Sequence, residues 1–85
     1  MEYIIDMTGV TTSEELHRRI REVLPCPEWY GNNLDALYDC LTEITGTVRL
    51  LDWETAEARL GPYGKKAKKA IATAALHNPK LDLYL

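Results

Sequence analysis

Two aspartates lie four residues apart in the stretch PEWYGNNLDALYDCLT, which runs from Pro27 to Thr42. Asp35 and Asp39 fall on one side of a predicted helix, where like charges at this spacing repel each other. Carboxylate pairs perform acid–base chemistry in glycoside hydrolysis, but that chemistry requires a cleft around the substrate. A chain of 85 residues without insertion loops has little material for a cleft, so we expect a protein that is not an enzyme.

The helix that carries the two aspartates is amphipathic. At ~100° per residue, Asp35, Asp39 and Glu43 share one face of it, and Tyr38 lies at the border of that face. The opposite face carries the leucines that must be buried, namely Leu34, Leu37 and Leu41. The sequence therefore predicts a helix that buries its leucines and turns its carboxylates to solvent, with Asn32 or Asn33 as its N-cap.

The acidic face has two interpretations at this point. An ordinary solvated helix surface explains it, since Asp35 lies in the first turn, where the helix dipole favours a negative charge. A binding surface explains it as well, because aromatic residues beside exposed charge are typical of interface hot spots. Trp29, Tyr30 and Tyr38 are those aromatics, and Gly31 lets the loop backbone approach a partner closely.

The elements that must position this helix alternate between strands and helices. The predicted strands are Tyr3–Ile5, Val48–Leu51 and Leu81–Leu85. Four helices are predicted: one after Thr12, one after Asn33, and two that span Trp53–Leu60 and Gly64–Leu76. The first has a capping box between Thr12 and Glu15, and its apolar face consists of Leu16, Ile20, Val23 and Leu24. Helical crossovers favour parallel strands. We therefore predict one α/β domain over residues 1–85, with a three-stranded parallel sheet in the order 1-2-3 and about four helices.

The net charge of −3 conceals a strong asymmetry along the chain. Residues 1–57 carry a net charge of −8, whereas residues 58–85 carry +5. Between Glu22 and Glu57 there are eight acids and only one base, Arg49. An acidic middle segment of this kind indicates a cationic partner, because complementary charge speeds encounter and selects partners.

Composition narrows the environment and the chemistry further. The chain has no apolar run long enough for a membrane span and no basic, then apolar, N-terminal signal, so we expect a cytoplasmic protein. Cys26 and Cys40 are too few for a disulfide scaffold and are expected to be buried or half-buried thiols. The spacing of the cysteines with His17 and His77 matches no metal motif, so we expect no metal and no cofactor, with His17 on a helix surface.

The last helix carries a lysine cluster, Lys65, Lys66, Lys68 and Lys69, opposite an apolar face of Ala67, Ala70, Ile71 and Ala74. A solvated helix face accounts for this pattern. The alternative is a small binding module whose Lys65–Lys69 segment contacts RNA or an acidic protein. No aromatic residue is interleaved with the lysines, which disfavours RNA.

The stretch from Pro27 to Thr42 resembles the signature of the barstar family, the intracellular inhibitors of barnase-type ribonucleases. The similarity is nearly continuous over that stretch, extends more weakly to LHRRIREVL before it and LLDW after it, and is architectural only beyond Leu60. The predicted order of elements is also that of the barstar fold. The resemblance implies that a helix and the loop before it occlude the active site of a basic ribonuclease.

The resemblance also implies roles for individual residues. Asp39 is expected to take the place of a substrate phosphate against arginine, lysine and histidine side chains, and Asp35 to pair with a neighbouring base. The implied contacts around them are Trp29 (replacing a family tyrosine), Tyr30, Gly31, Asn33, Leu34, Tyr38 (replacing a family tryptophan) and Thr42. In this chain the family's acidic residue on the last helix is absent, and Glu43-Ile44 replaces a Gly-Trp pair.

The resulting hypothesis is a cytoplasmic ribonuclease inhibitor of the antitoxin or immunity type. Its expected partner is a basic microbial ribonuclease of the barnase kind, bound one to one, by a chain that is a monomer when free. The departures from the family pattern leave open a different ribonuclease, or a toxin with a related basic site, as the partner. The lysine helix remains the rival binding surface.

Overall fold

The computed structural model describes residues 1–28 and 30–85 of the chain, and Trp29 lies outside them. Three strands form one sheet: β1 is Glu2–Asp6, β2 is Gly46–Leu51 and β3 is Leu81–Tyr84. Four helices connect them: α1 is Ser13–Val23, α2 is Leu34–Thr42, α3 is Trp53–Leu60 and α4 is Pro62–His77. The strands are parallel and in the order β1-β2-β3, which confirms the predicted fold class.

The sheet has one buried face and one exposed face. Burial alternates along β2, so that Val48 and Leu50 are buried whereas Arg49 between them is exposed. The register places Ile5 beside Leu50 and Ile4 beside Arg49, which continues the same alternation into β1. All-parallel sheets are usually covered on both faces. Here helices cover one face, and the other remains open to solvent.

The core forms between the buried face of the sheet and the helices α1, α2 and α4. The almost fully buried residues are Leu16 and Ile20 from α1, Leu37 and Leu41 from α2, and Ala67, Ile71 and Ala74 from α4. Trp53 is also buried, as predicted. Small residues on α4 let α2 pack closely against it, so α2 is held by a helix as well as by the sheet.

The last helix begins at Pro62, two residues before the predicted start at Gly64. Proline suits the first turn of a helix because its missing N–H has no helical partner there. Gly64 lies where α4 crosses α3, and a Cβ at this position would collide with the backbone carbonyl oxygen of Glu57. The glycine that seemed to start the helix is therefore a packing requirement inside it.

Three further local expectations are wrong. Thr12 Oγ1 accepts from Glu15 N at 3.2 Å, but the Glu15 carboxylate pairs with Arg18 and Arg19, so only half of the capping box is present. Val23 is exposed because α1 ends there. Leu85 lies beyond β3, which ends at Tyr84.

A buried asparagine connects the end of α2 to the turn before β3. Asn78 Nδ2 donates to Leu41 O at 2.9 Å and to Ile44 O at 2.8 Å, while its Oδ1 accepts from Lys80 N at 3.1 Å. Leu41 lies in the last turn of α2, whose carbonyls lack partners within the helix, and Ile44 lies two residues beyond the end of α2. The Leu41 oxygen also accepts from Ile44 N at 3.3 Å. The sequence predicted a turn at Asn78-Pro79, but not this side-chain connection.

We expect Asn78→Ala to lower the free energy of unfolding by about 1–3 kcal/mol, because the buried Ile44 carbonyl oxygen loses the amide donor, while the Leu41 oxygen keeps its bond from Ile44 N. Asn78→Asp should be worse, since it replaces the donating amide by a carboxylate facing the same oxygens. Denaturant unfolding of both variants measures the effect. Lys80→Ala, at an exposed neighbour, is the control and should leave stability nearly unchanged. Equal stability of Asn78→Ala and the parent chain would contradict the assigned role.

Candidate functional site

The acidic helix α2 begins at a well-defined cap. Asn33 Oδ1 accepts from Ala36 N at 2.8 Å, so Asn33 is the N-cap, one of the two predicted residues. Its Nδ2 also donates to Gly31 O at 3.3 Å, which links the preceding loop to the helix. Asn32 adopts a φ of 52°, a left-handed conformation that asparagine tolerates better than most residues. The loop therefore enters α2 in a fixed geometry.

Both aspartates of α2 are exposed, as the helical wheel predicted. Within residues 1–28 and 30–85, no basic side chain lies within ion-pair distance of either carboxylate. The opposite face of α2 is anchored, since Leu37 is 1% and Leu41 is 2% exposed. Asp35 and Asp39 thus lie side by side on a rigid surface without compensating charge from the described part of the chain.

The C-terminal half of the site is held by contacts with the helix itself and with α4. Thr42 Oγ1 donates to Asp39 O at 2.8 Å. The Tyr38 hydroxyl lies 2.7 Å from His77 Nδ1, and the two rings meet edge to face with centroids 6.1 Å apart. Tyr38 is half-buried at the edge of the acidic face, where the sequence placed it.

The loop before α2 contributes backbone more than side chains. Gly31 is exposed, and a Cβ there would lie 3.0 Å from the side-chain Nδ2 of Asn33. Leu34 is half-buried against the core. Trp29, also expected at this surface, lies outside the described residues.

Tyr30 is a correction to the predicted surface. The sequence placed it among exposed aromatics beside the aspartates, but its side chain is buried, with 7% of its surface exposed. The Tyr30 hydroxyl lies 2.7 Å from His17 Nδ1. The residue therefore anchors the loop from the inside, and burial raises the pKa of its hydroxyl above the ordinary value.

His17 is the second correction, because it is fully buried rather than on a helix surface. Its Nε2 lies 2.7 Å from the Tyr63 hydroxyl, so the imidazole bridges Tyr30 in the loop and Tyr63 in α4. The spacing of His17, Ile20 and Leu24 at i, i+3 and i+7 places the histidine on the buried face of α1 and could have revealed this.

The two remaining clusters considered in the sequence, the lysines of α4 and the two cysteines, are buried or exposed as predicted. Lys65, Lys66, Lys68 and Lys69 are all exposed, as predicted, and Lys68 pairs with Glu57 at 3.9 Å. Cys26 is half-buried and Cys40 is buried, which also agrees with the prediction.

Among residues 1–28 and 30–85, no group of three or more histidine, cysteine or acidic side chains is arranged to hold a metal ion. No helix in that part of the chain is both long and apolar enough to cross a bilayer.

Comparison with known proteins agrees with this geometry. The family described as Barstar (barnase inhibitor) matches residues 1–77, which include the acidic helix and the whole of α4. A relative from Bacillus subtilis (strain 168), named "Putative ribonuclease inhibitor YrdF", is 36% identical over 74 residues. That alignment covers 84% of this chain and 81% of the relative.

The chain belongs to the Barstar family. The resemblance drawn from Pro27–Thr42 is thereby confirmed, and so is the prediction that the chain is not an enzyme, since the family is one of inhibitors. The comparisons do not test the individual contact residues, which stay predictions.

The buried histidine generates a prediction about pH. Desolvation lowers the pKa of His17 below its ordinary value, with a smaller contribution from the Arg21 charge. Above about pH 6.5 the ring is neutral in both the folded and the unfolded chain. Below that pH the unfolded chain takes up the proton first, so stability falls until the pH passes the lower pKa of the folded state.

We therefore expect the melting temperature to fall as the pH drops below about 6.5, toward the lowered pKa of the folded state. Titration of the imidazole signals by NMR measures the His17 pKa directly. His77→Gln removes the exposed histidine, assigns the remaining signal to His17 and serves as the control in melting. A His17 ring that titrates at or above the ordinary histidine pKa would contradict the role of burial.

Proposed function

We propose that this protein inhibits a basic ribonuclease of the barnase type by covering its active site with α2 and the loop of residues 27–33. The observation that carries the proposal is the pair of exposed carboxylates, Asp35 and Asp39, on a helix fixed by its buried leucines. Membership of a family of barnase inhibitors and similarity to a protein named as a ribonuclease inhibitor support it.

In this proposal Asp39 replaces the substrate phosphate. A ribonuclease active site must place cationic donors around a phosphodiester, and a carboxylate accepts charge-assisted hydrogen bonds from the same donors. The Asp39 side chain is exposed, while the Asp39 carbonyl is fixed by the Thr42 hydroxyl. Asp35, one turn earlier, is proposed to pair with a neighbouring base of the nuclease.

Among the described residues, no cation pairs with either aspartate, and this supports the electrostatic part of the proposal. Like charges at i and i+4 weaken an isolated helix by a few tenths of a kcal/mol. A basic partner removes that repulsion, so the charge pattern favours the complex over the free protein. Opposite charge on the two surfaces should also accelerate association, and added salt should slow it.

The remaining predicted contacts surround the carboxylates in this arrangement. Gly31, Asn33 and Leu34 would offer backbone and small side-chain surface on the N-terminal side, and Tyr38 and Thr42 would line the opposite edge. Tyr30 would act indirectly, because its buried hydroxyl positions the loop through His17. Trp29 is proposed as a contact from the resemblance alone.

The proposal includes a biological setting. We infer that the protein acts in the cytoplasm of a cell that makes the nuclease, as a monomer that binds one nuclease molecule. It would then protect that cell in the manner of an immunity protein or antitoxin. Inhibition by occlusion requires no chemistry from the inhibitor.

Neutralising one carboxylate tests the proposal. We expect Asp39→Asn to weaken binding to a basic, barnase-type ribonuclease at least ~30-fold, the minimum for an interface hot spot. Titration calorimetry with a catalytically disabled nuclease measures the affinity and the stoichiometry. Asp82→Asn is the matched control, since Asp82 is an exposed aspartate on β3, away from α2.

Three other results would count against the proposal. Equal loss of affinity in the Asp39 and Asp82 variants would indicate a general charge effect rather than a specific contact. RNA binding that survives Asp39→Asn but fails when Lys65, Lys66, Lys68 and Lys69 become glutamine would favour the rival surface on α4. Absence of nuclease binding by the parent chain would overturn the choice of partner.

A further inference from the structure

The two cysteines of the chain lie side by side. The Sγ atoms of Cys26 and Cys40 are 3.1 Å apart, and both residues are reduced. Cys26 lies in the loop after α1, whereas Cys40 lies on the buried side of α2. The two sulfurs of a disulfide are about 2.05 Å apart, so these sulfurs need to move only roughly 1 Å closer to form a bond.

The residues between the two cysteines make up most of the proposed binding surface. Cys26 precedes the loop that enters α2, and Cys40 directly follows Asp39. The loop is otherwise held by a few local contacts, among them the hydrogen bond from Tyr30 N to Pro27 O at 3.0 Å and the Tyr30–His17 contact. A bond between the two sulfurs would close a ring around this segment.

We propose that Cys26 and Cys40 form a reversible disulfide that holds residues 30–39 in the conformation described here. Its importance for inhibition rests on the proposed function, because that function places the binding surface within the ring. The formation of the bond and its effect on the fold do not depend on the identity of the nuclease.

The oxidant in this proposal is a small-molecule disulfide, RSSR. The Cys26 thiolate, on the more accessible residue, attacks one sulfur of RSSR, forms a mixed disulfide and releases RS⁻. The Cys40 thiolate then attacks the Cys26 sulfur and releases the second RS⁻. The two cysteine protons end on two RSH molecules, so the protein loses two hydrogens and two electrons and RSSR gains them.

The environment of the thiols sets the rate of this reaction. Desolvation raises the pKa of Cys40 to about 12 and raises that of Cys26 as well. Because the thiolate is the nucleophile, oxidation is expected to be slow at neutral pH and about tenfold faster per pH unit below these pKa values. The pair should therefore remain reduced under mild conditions and respond to sustained oxidation.

The effect on the fold follows from the small movement that closure requires. A cross-link that fits the native geometry stabilises mainly by restricting the unfolded chain. For a ring of this size the melting temperature is expected to rise by roughly 12–24 °C. Amide exchange at residues 30–33 should slow in the oxidised protein, since the ring limits opening of the loop.

The test incubates the full chain with glutathione disulfide at about pH 8.5, where thiolate is more abundant, and then removes the oxidant. Mass spectrometry is expected to show a monomer that has lost two hydrogens, and thiol counting to show no free thiol. Thermal melting and amide exchange of the oxidised and reduced forms then measure the lock. Dithiothreitol should restore the reduced values.

Cys26→Ser is the matched control, because it keeps the buried Cys40 and cannot form the ring. Its melting temperature should be the same after oxidant treatment and reduction. Disulfide-linked dimers, a stable mixed disulfide, or a ring that lowers the melting temperature would each overturn the proposal. An intact lock in a chain that fails to bind the nuclease would count against the proposed function alone.

Discussion

Burial of the leucine face of α2 is the interaction on which the arrangement of the site depends. Leu37 and Leu41 fill the space between the sheet and α4, and only one rotation of the helix allows this. That rotation turns Asp35 and Asp39 outward. The hydrophobic effect thus orients a pair of charges that would otherwise avoid each other, and the stability of the core supports an electrostatic function at the surface.

Polar side chains fix the two ends of α2, which the apolar core does not hold by itself. At the start, the His17 ring connects the entering loop to α4 through the hydroxyls of Tyr30 and Tyr63. At the end, Asn78 donates to the carbonyl oxygens of Leu41, in the last turn, and of Ile44, just beyond the helix. His17, Tyr30 and Asn78 are buried and hydrogen-bonded, so each specifies one position for the segment it contacts.

Much of the fold could be predicted from the sequence, because the spacing of apolar residues and the positions of helix- and strand-breaking residues agree along most of the chain. The strands, the four helices and the outward carboxylates follow from alternation, helical spacing and breaks at glycine and proline. Tyr30 and His17 were wrongly predicted to be exposed, because tyrosine and histidine carry polar atoms. In the fold those atoms are hydrogen-bonded to residues distant in sequence, so both side chains can be buried. The start of α4 was missed since Gly64 serves packing against α3 and not a helix end.

The parallel order of the strands also determines when the acidic helix can function. Glu2 pairs with Thr47 and Gly46 with Leu81, so every strand pairing joins distant parts of the chain. Contacts of this kind form late, because the entropy cost of closing a long loop precedes the favourable strand pairing. During synthesis α2 leaves the ribosome before α4, against which it packs. A nascent chain therefore cannot present the rigid charged surface until nearly all of the domain has been translated.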